Sequence, residues 1–132
     1  MPQSSAYPAR DETMSRVSHI CLAGRTICND WLLIRALKTQ HQVTLVEHIQ
    51  ALSRNPILAR VDVLVLDCGE NQKMGLGLVP NLKRDNPKMC VVLVDGGFTR
   101  QQIAKAFREG VKDYFAEPYD RRLLVERVEG LG

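Results

Sequence analysis

Apolar and polar positions change rhythm repeatedly along this chain, and short continuous apolar runs alternate with helical stripes. His19-Ile20-Cys21-Leu22-Ala23 is an apolar run suited to a buried strand. Trp31, Ile34 and Leu37, with Leu33 beside them, follow at helical spacing and predict a helix packed through all four. Val43-Thr44-Leu45-Val46 is short and β-branched. His48 to Leu52 predicts a brief helix that ends near Asn55-Pro56, because a residue before proline avoids the α region. Val61 to Leu66 is apolar except for Asp62, the pattern of a strand covered on both faces. Gly69 to Gly77 reads as a glycine-containing loop. Leu78, Val79 and Leu82 then predict a helix that tolerates Pro80 only in its first turn.

Val91-Val92-Leu93-Val94 predicts another buried strand, closed by Gly96-Gly97. The helix after it is the best punctuated in the chain. Thr99 and Gln102 form a capping box, Phe98 and Ile103 a hydrophobic staple, and Gly110 a C-terminal cap. Asp113 to Ala116 predicts a last strand, and Asp120 caps a last helix with Leu124, Val128 and Leu131 on one face. Residues 1–16 are polar, carry Pro2, Pro8 and Ser4-Ser5, and read as a flexible tail; 17–132 form one domain. The predicted order is βαβαβαβαβα, an α/β chain whose strands form a parallel sheet with helices on both faces. Function in such sheets sits at the C-terminal strand ends. That singles out Ala23 to Arg25, Asp67, Asp95 to Gly97, and Glu117-Pro118.

Composition narrows the classes. Apolar residues are 45% and charged residues 25% of 132, an ordinary globular balance. Eighteen Lys and Arg against fifteen Asp and Glu leave +3, dispersed along the chain, which argues for no direct nucleic-acid binding. No apolar run approaches the roughly 20 residues of a membrane span, and no long apolar leader core opens the chain, so no membrane contact and a cytoplasmic location are expected. Cys21, Cys28, Cys68 and Cys90 form no C-x-x-C pair, and His19, His41 and His48 do not converge with them, so no metal site of that kind is predicted. No catalytic triad or nucleophile–base pair can be assembled, so an enzyme is not expected.

Taken in order, the strand ends resemble a bacterial response-regulator receiver domain. Val61-Asp62-Val63-Leu64-Val65-Leu66-Asp67 resembles the family's third strand, which ends in the phospho-accepting aspartate. Gly75-Leu76-Gly77-Leu78 resembles the glycine and helix start beyond it, and Ala104-x-x-x-x-x-Gly110-Val111-x-Asp113-Tyr114 and Pro118-Tyr119-Asp120 match without a gap. The resemblance implies a flavodoxin-like doubly wound (βα)5 fold, its five-stranded parallel sheet in order 2-1-3-4-5. It also implies a phospho-acceptor position at Asp67, a switch aromatic at Tyr114 and a cis peptide before Pro118. Receivers regulate an attached or separate output, so a protein partner or output domain is implied. A homodimer through the fourth helix, fifth strand and fifth helix is implied too. There Lys105, Arg108, Lys112, Asp113, Asp120, Arg121, Arg122 and Glu126 offer mixed charge.

The departures define the expected function. Where the family holds magnesium with two adjacent acids, this chain has Ala23 and Gly24, followed by Arg25. Where it uses Ser or Thr after the fourth strand, the residue is Asp95, and where it uses Lys before the proline, the residue is Glu117. Phosphoryl transfer needs its oxygens neutralised, and magnesium usually needs one or two carboxylates; Asp95 and Glu117 instead add like charge. The expectation is a degenerate, pseudo-receiver pocket without cofactor, in which Arg25 pairs with Asp67 or Asp95. Acids restored at 23 and 24 are then expected to create metal affinity, with Glu117→Lys also required for phosphorylation. Three alternatives stand beside it: Arg25 and Glu117 in solvent, a working phospho-receiver using Asp67, and a flavodoxin-like domain binding a small ligand, or a cation through Asp67, Asp95 and Glu117.

Overall fold

The computed structural model describes residues 17–132, so the tail expected at 1–16 lies outside the described residues. Five strands, β1 (His19–Ala23), β2 (Gln42–Val46), β3 (Val63–Asp67), β4 (Cys90–Asp95) and β5 (Asp113–Ala116), form one sheet in the order β2-β1-β3-β4-β5. All four pairings are parallel. Four α-helices connect and cover them: α1 (Trp31–Lys38), α2 (Gln72–Asp85), α3 (Arg100–Arg108) and α4 (Arg121–Leu131).

The period-two pattern of the central strands explains the two cores. Cys21, Ala23, Leu64, Leu66, Val91 and Leu93 face α2 and α3 through Val79, Leu82 and Ala106. Ile20, Leu22, Val63, Val65, Val92 and Val94 face α1 and α4 through Leu33, Ile34, Leu37, Leu124 and Val128. Such strands are wholly buried, as a sheet with helices on both faces requires. The α3 cap is as the sequence predicts: Thr99 accepts from the Gln102 N–H, and the Gln102 side chain accepts from the Thr99 N–H.

Three expectations are corrected. The helix expected between β2 and β3 is a pair of 3-10 turns, Ile49–Leu52 and Pro56–Arg60. Asn55, with Pro56 behind it, restarts the chain there by accepting from the Ile57 N–H. Consequently the helices expected as fourth and fifth are α3 and α4. The loop expected over Gly69–Gly77 is mostly helix. Asn71 accepts from the Met74 N–H and starts α2 at Gln72, which leaves Pro80 inside the helix. Pro80 is exposed and, with Leu76, whose carbonyl it deprives of a helical donor, lines a groove between α2 and α3. Finally, Trp31 does not pack: it is 74% exposed, because Leu33, Ile34 and Leu37 already fill the buried stripe of α1.

Candidate functional site

The parallel register brings Asp67, Asp95 and Glu117 to one end of the sheet. Asp67 closes β3 and is only 3% exposed. Its two carboxylate oxygens are both engaged by the chain itself: the Ile27 N–H donates to Oδ2 at 3.0 Å and the Gly69 N–H to Oδ1 at 2.9 Å. The first donor comes from a 3-10 turn, Ile27–Asn29, that folds the β1–α1 loop down onto the strand end. Gly24 makes this approach possible. It sits at φ +119°, and a Cβ there would lie 2.6 Å from both the Cβ and the carbonyl oxygen of Asp67. Gly75 performs the matching task on the other side, where a Cβ would collide with the Cys68 sulfur.

Asp95, 1% exposed, is satisfied in the same manner. Its Oδ2 accepts from the Gly97 N–H at 2.9 Å and from the Gln72 side-chain amide. Its backbone carbonyl accepts from the Glu117 N–H at 2.9 Å and from the Tyr114 hydroxyl at 3.0 Å. The Tyr114 ring leans on Phe98, centroids 5.8 Å apart. Glu117 is half-buried and precedes the expected cis peptide to Pro118. Its Oε1 lies 3.6 Å from where a Cβ on Gly69 would sit.

The electrostatics follow from three acids at close quarters. Burial pushes the Asp67 carboxyl above its ordinary range, Asp95 and Glu70 push it further, and the two N–H bonds oppose them. Burial raises Glu117 too, followed by the charges of Asp67 and Asp95. Cys68 beneath them is pushed up to about 12, first by burial and then by the same acids, which leaves it an inert thiol.

Arg25 pairs with neither Asp67 nor Asp95. It reaches Glu70 instead, Nη1 to Oε2 at 3.1 Å, with both side chains about half in water. The reason is local: Asp67 and Asp95 are already supplied with donors from within the chain. Ala23 is buried in the sheet core, and Gly24 has no room for a side chain. Magnesium, which the resemblance implies, therefore does not fit the residues present. Among the described residues no three His, Cys, Asp or Glu side chains are grouped to hold a metal ion.

Sequence reasoning missed Gln72, Glu70 and the Ile27 N–H. The Asn71 cap was the available signal for the first, since a helix starting there aims Gln72 at the end of β4. It also missed a second network at this end. Asp30, the N-cap of α1, accepts from the Tyr119 hydroxyl at 2.6 Å and from Arg121 Nε at 2.8 Å. Burial opposes the Asp30 charge, but these donors outweigh it and hold the carboxyl below its ordinary range.

No family model matches the chain. A signal receiver domain of a DNA-binding response regulator from Colwellia psychrerythraea superposes with TM-score 0.74 at 14% identity, covering 86% of this chain and 97% of that one. A response regulator from Thermotoga maritima gives 0.70 at 18% identity, covering 88% and 98%. The fold is that of a response-regulator receiver domain. The same receiver fold occurs in a protein named as pilus assembly-related from Burkholderia pseudomallei, with TM-score 0.70, 23% identity, and 86% and 90% coverage. In sequence, the chain is 26% identical over 109 residues to the DNA-binding transcriptional regulator NtrC of Azospirillum brasilense. That match takes in 78% of this chain but spans only 23% of the relative's length. No helix among the described residues is long and apolar enough to cross a membrane.

Proposed function

We propose that this chain is a signal-transduction receiver module of a two-component-type regulator with a degenerate phosphorylation pocket. It acts in the cytoplasm mainly through protein–protein contact, controlling an attached or separate output. The observation that carries the reading is the state of Asp67. Both oxygens accept backbone N–H bonds, Gly24 packs against the Asp67 backbone and Cβ, and the nearest charges are acids rather than cations. Phosphoryl transfer onto a carboxylate depends on positive groups around the transferred oxygens. Here Asp95 and Glu117 repel a dianion instead.

Incubation with acetyl phosphate or beryllofluoride, with magnesium, tests it by intact mass and by amide NMR. The expected result is no added phosphoryl mass and no shift of the Ile27, Gly69 or Tyr114 amides. Rapid magnesium-dependent labelling at Asp67 would overturn the reading in favour of a working phospho-receiver.

A homodimer through α3, β5 and α4 belongs to the same reading. Phe107 and Leu123 are exposed there. Asp113, Asp120 and Arg121, however, are engaged within the chain, by Arg127, the α4 N-terminus and Asp30. Contact between copies must therefore rest more on those apolar side chains than on mixed charge.

A further inference from the structure

The two edges of the sheet are finished differently. β5 opens on Asp113, whose carboxylate accepts from the Tyr114 N–H at 2.8 Å and from Arg127 Nε at 2.8 Å. Charge and a side-chain acceptor blunt that edge against further pairing. β2 has neither device. Its sequence, Gln42-Val43-Thr44-Leu45-Val46, holds no charge and no proline, and its register with β1 runs through all five residues without a bulge.

The ladder decides which backbone groups β2 leaves open. The Gln42 N–H donates to the Ser18 carbonyl at 3.0 Å, and the Val46 carbonyl accepts from the Gly24 N–H at 2.9 Å. Backbone groups alternate sides along a strand, so Gln42, Thr44 and Val46 turn to β1 and the N–H and C=O of Val43 and Leu45 turn outward. Among the described residues no hydrogen bond reaches those four groups. The Leu45 side chain is 42% exposed, and Val43 on the same face is half-buried.

The two ends of β2 carry opposite charge. Lys38 closes α1 shortly before the strand, and Glu47 follows it directly. Lys38 has no ion-pair partner among the described residues. Glu47 meets only the adjacent His48, at 3.6 Å with both side chains about half in water.

We propose that the β2 edge pairs with the β2 edge of a second copy, antiparallel about Thr44, so that two five-stranded sheets become one continuous sheet. In this register Val43 of each copy faces Leu45 of the other, and each facing pair exchanges both of its hydrogen bonds. All four open groups of each copy are then bonded. The same pairing sets the exposed Leu45 beside Val43 as an apolar cross-strand pair. It also brings Glu47 to the end of the other copy that carries Lys38. A parallel pairing would set Glu47 against Glu47. The strand thus supplies its own complement in hydrogen bonds, apolar contact and charge, which selects a second copy over an unrelated strand. This contact is separate from one through α3, β5 and α4, and it does not depend on whether Asp67 is phosphorylated.

Sedimentation velocity over a concentration series reads the association, and amide hydrogen exchange by NMR reads its place. Both are run on the unmodified protein and on Phe107→Ser with Leu123→Ser, which removes the apolar side chains of the other face. Association should persist in that variant. Raising the concentration should slow exchange at the Val43 and Leu45 amides and leave those of Gln42, Thr44 and Val46 as they were. Leu45→Lys, at an exposed position, should weaken association by about tenfold or more. Glu47→Lys and Lys38→Glu should each weaken it alone, and an equimolar mixture of the two should restore it, because every cation then meets an acid. A protein that stays monomeric at every concentration overturns the proposal. So does association that Leu45→Lys leaves unchanged, or a mixture of the two charge variants that stays apart. Val43 and Leu45 amides that exchange alike at low and high concentration overturn it too, and that arm needs no variant to fold.

Discussion

Gly24→Ala puts the closed architecture around Asp67 under direct strain. At φ +119° the backbone is in a region that L-residues rarely adopt, and the added Cβ meets Asp67 Cβ and carbonyl oxygen at 2.6 Å and Cγ at 3.1 Å. Favourable contact between carbon atoms begins near ~3.5 Å. Two costs add. Left-handed backbone costs an L-residue about 1–2 kcal/mol, and overpacking a filled core costs about 1–3 kcal/mol. Relief is small, because Asp67 is pinned by the strand ladder and by the N–H bonds of Ile27 and Gly69. The expected loss is on the order of 2–5 kcal/mol, a large part of a typical domain's roughly 5–15.

Thermal melts make the measurement. At roughly 4 °C per kcal/mol for a domain of this size, Tm should fall by about 8–20 °C. Gly77→Ala is the control, since it adds the same methyl inside α2 where nothing lies within 4 Å. It should raise stability by about 0.5–1 kcal/mol, because glycine inside a helix loses more entropy on folding than alanine. A Gly24→Ala protein that melts with the parent would refute the close packing over Asp67. The same strain meets an acid at this position. Acids restored at 23 and 24 are therefore expected to disturb the loop and the core before they create magnesium affinity, contrary to the expectation from sequence.

Titration gives a signed prediction. Asp67 and Glu117 have raised carboxyls, so the folded chain holds those protons more tightly than the unfolded chain. Their share of stability therefore increases as pH falls from the raised folded values toward the ordinary unfolded ones near ~4. Glu117→Gln should be more stable than the parent at neutral pH, with the gap closing across that window in urea melts. Asp30 has the opposite sign: its lowered carboxyl stabilises above the ordinary range and loses that contribution as pH falls through its folded value. Tyr119→Phe, which removes the 2.6 Å bond to Asp30, should cost about 1.5 kcal/mol, the low end for a bond to a charged group, because Arg121 still pairs with that carboxylate. Pro80→Ala should stabilise by about 2 kcal/mol in urea, since a helix-interior proline costs ~3 and its stiffening of the unfolded chain returns less than 1.

Periodicity carried the sheet. Runs such as Val61–Leu66 and Val91–Val94 have one reading at their length, and the capping box at Thr99 is a local motif whose partners lie three residues apart. What was not legible depends on three-dimensional neighbours. Trp31 fits the helical stripe as well as Ile34 does, and only the filled space beneath α1 turns it outward. Arg25 was matched to buried acids because opposite charges attract. Which acid it reaches was decided by backbone donors that a sequence does not display, the Ile27 and Gly69 N–H groups above all. Gln72 was hidden inside an apparent loop, because two glycines masked a helix whose start depends on the Asn71 side chain.

The choice of donor at Asp67 has a dynamic consequence. A carboxylate held by a cation can exchange that cation for solvent without moving the chain. A carboxylate held by the Ile27 and Gly69 N–H groups is released only when the β1–α1 loop and the loop after β3 lift away. Hydrogen bonds to a charged group are worth about 1.5–3 kcal/mol each, so opening both costs about 3–6 kcal/mol. The open form is then populated at roughly 1% or less. A small donor that must first find this form is disadvantaged by the same factor. A macromolecular contact is not so limited, because a large interface supplies differential affinity of that size. In this chain the 3-10 turn that donates to Asp67 ends one residue before α1, whose first residues are Trp31 and Leu32. The segment that closes over Asp67 and the start of α1 are thus one continuous stretch of chain.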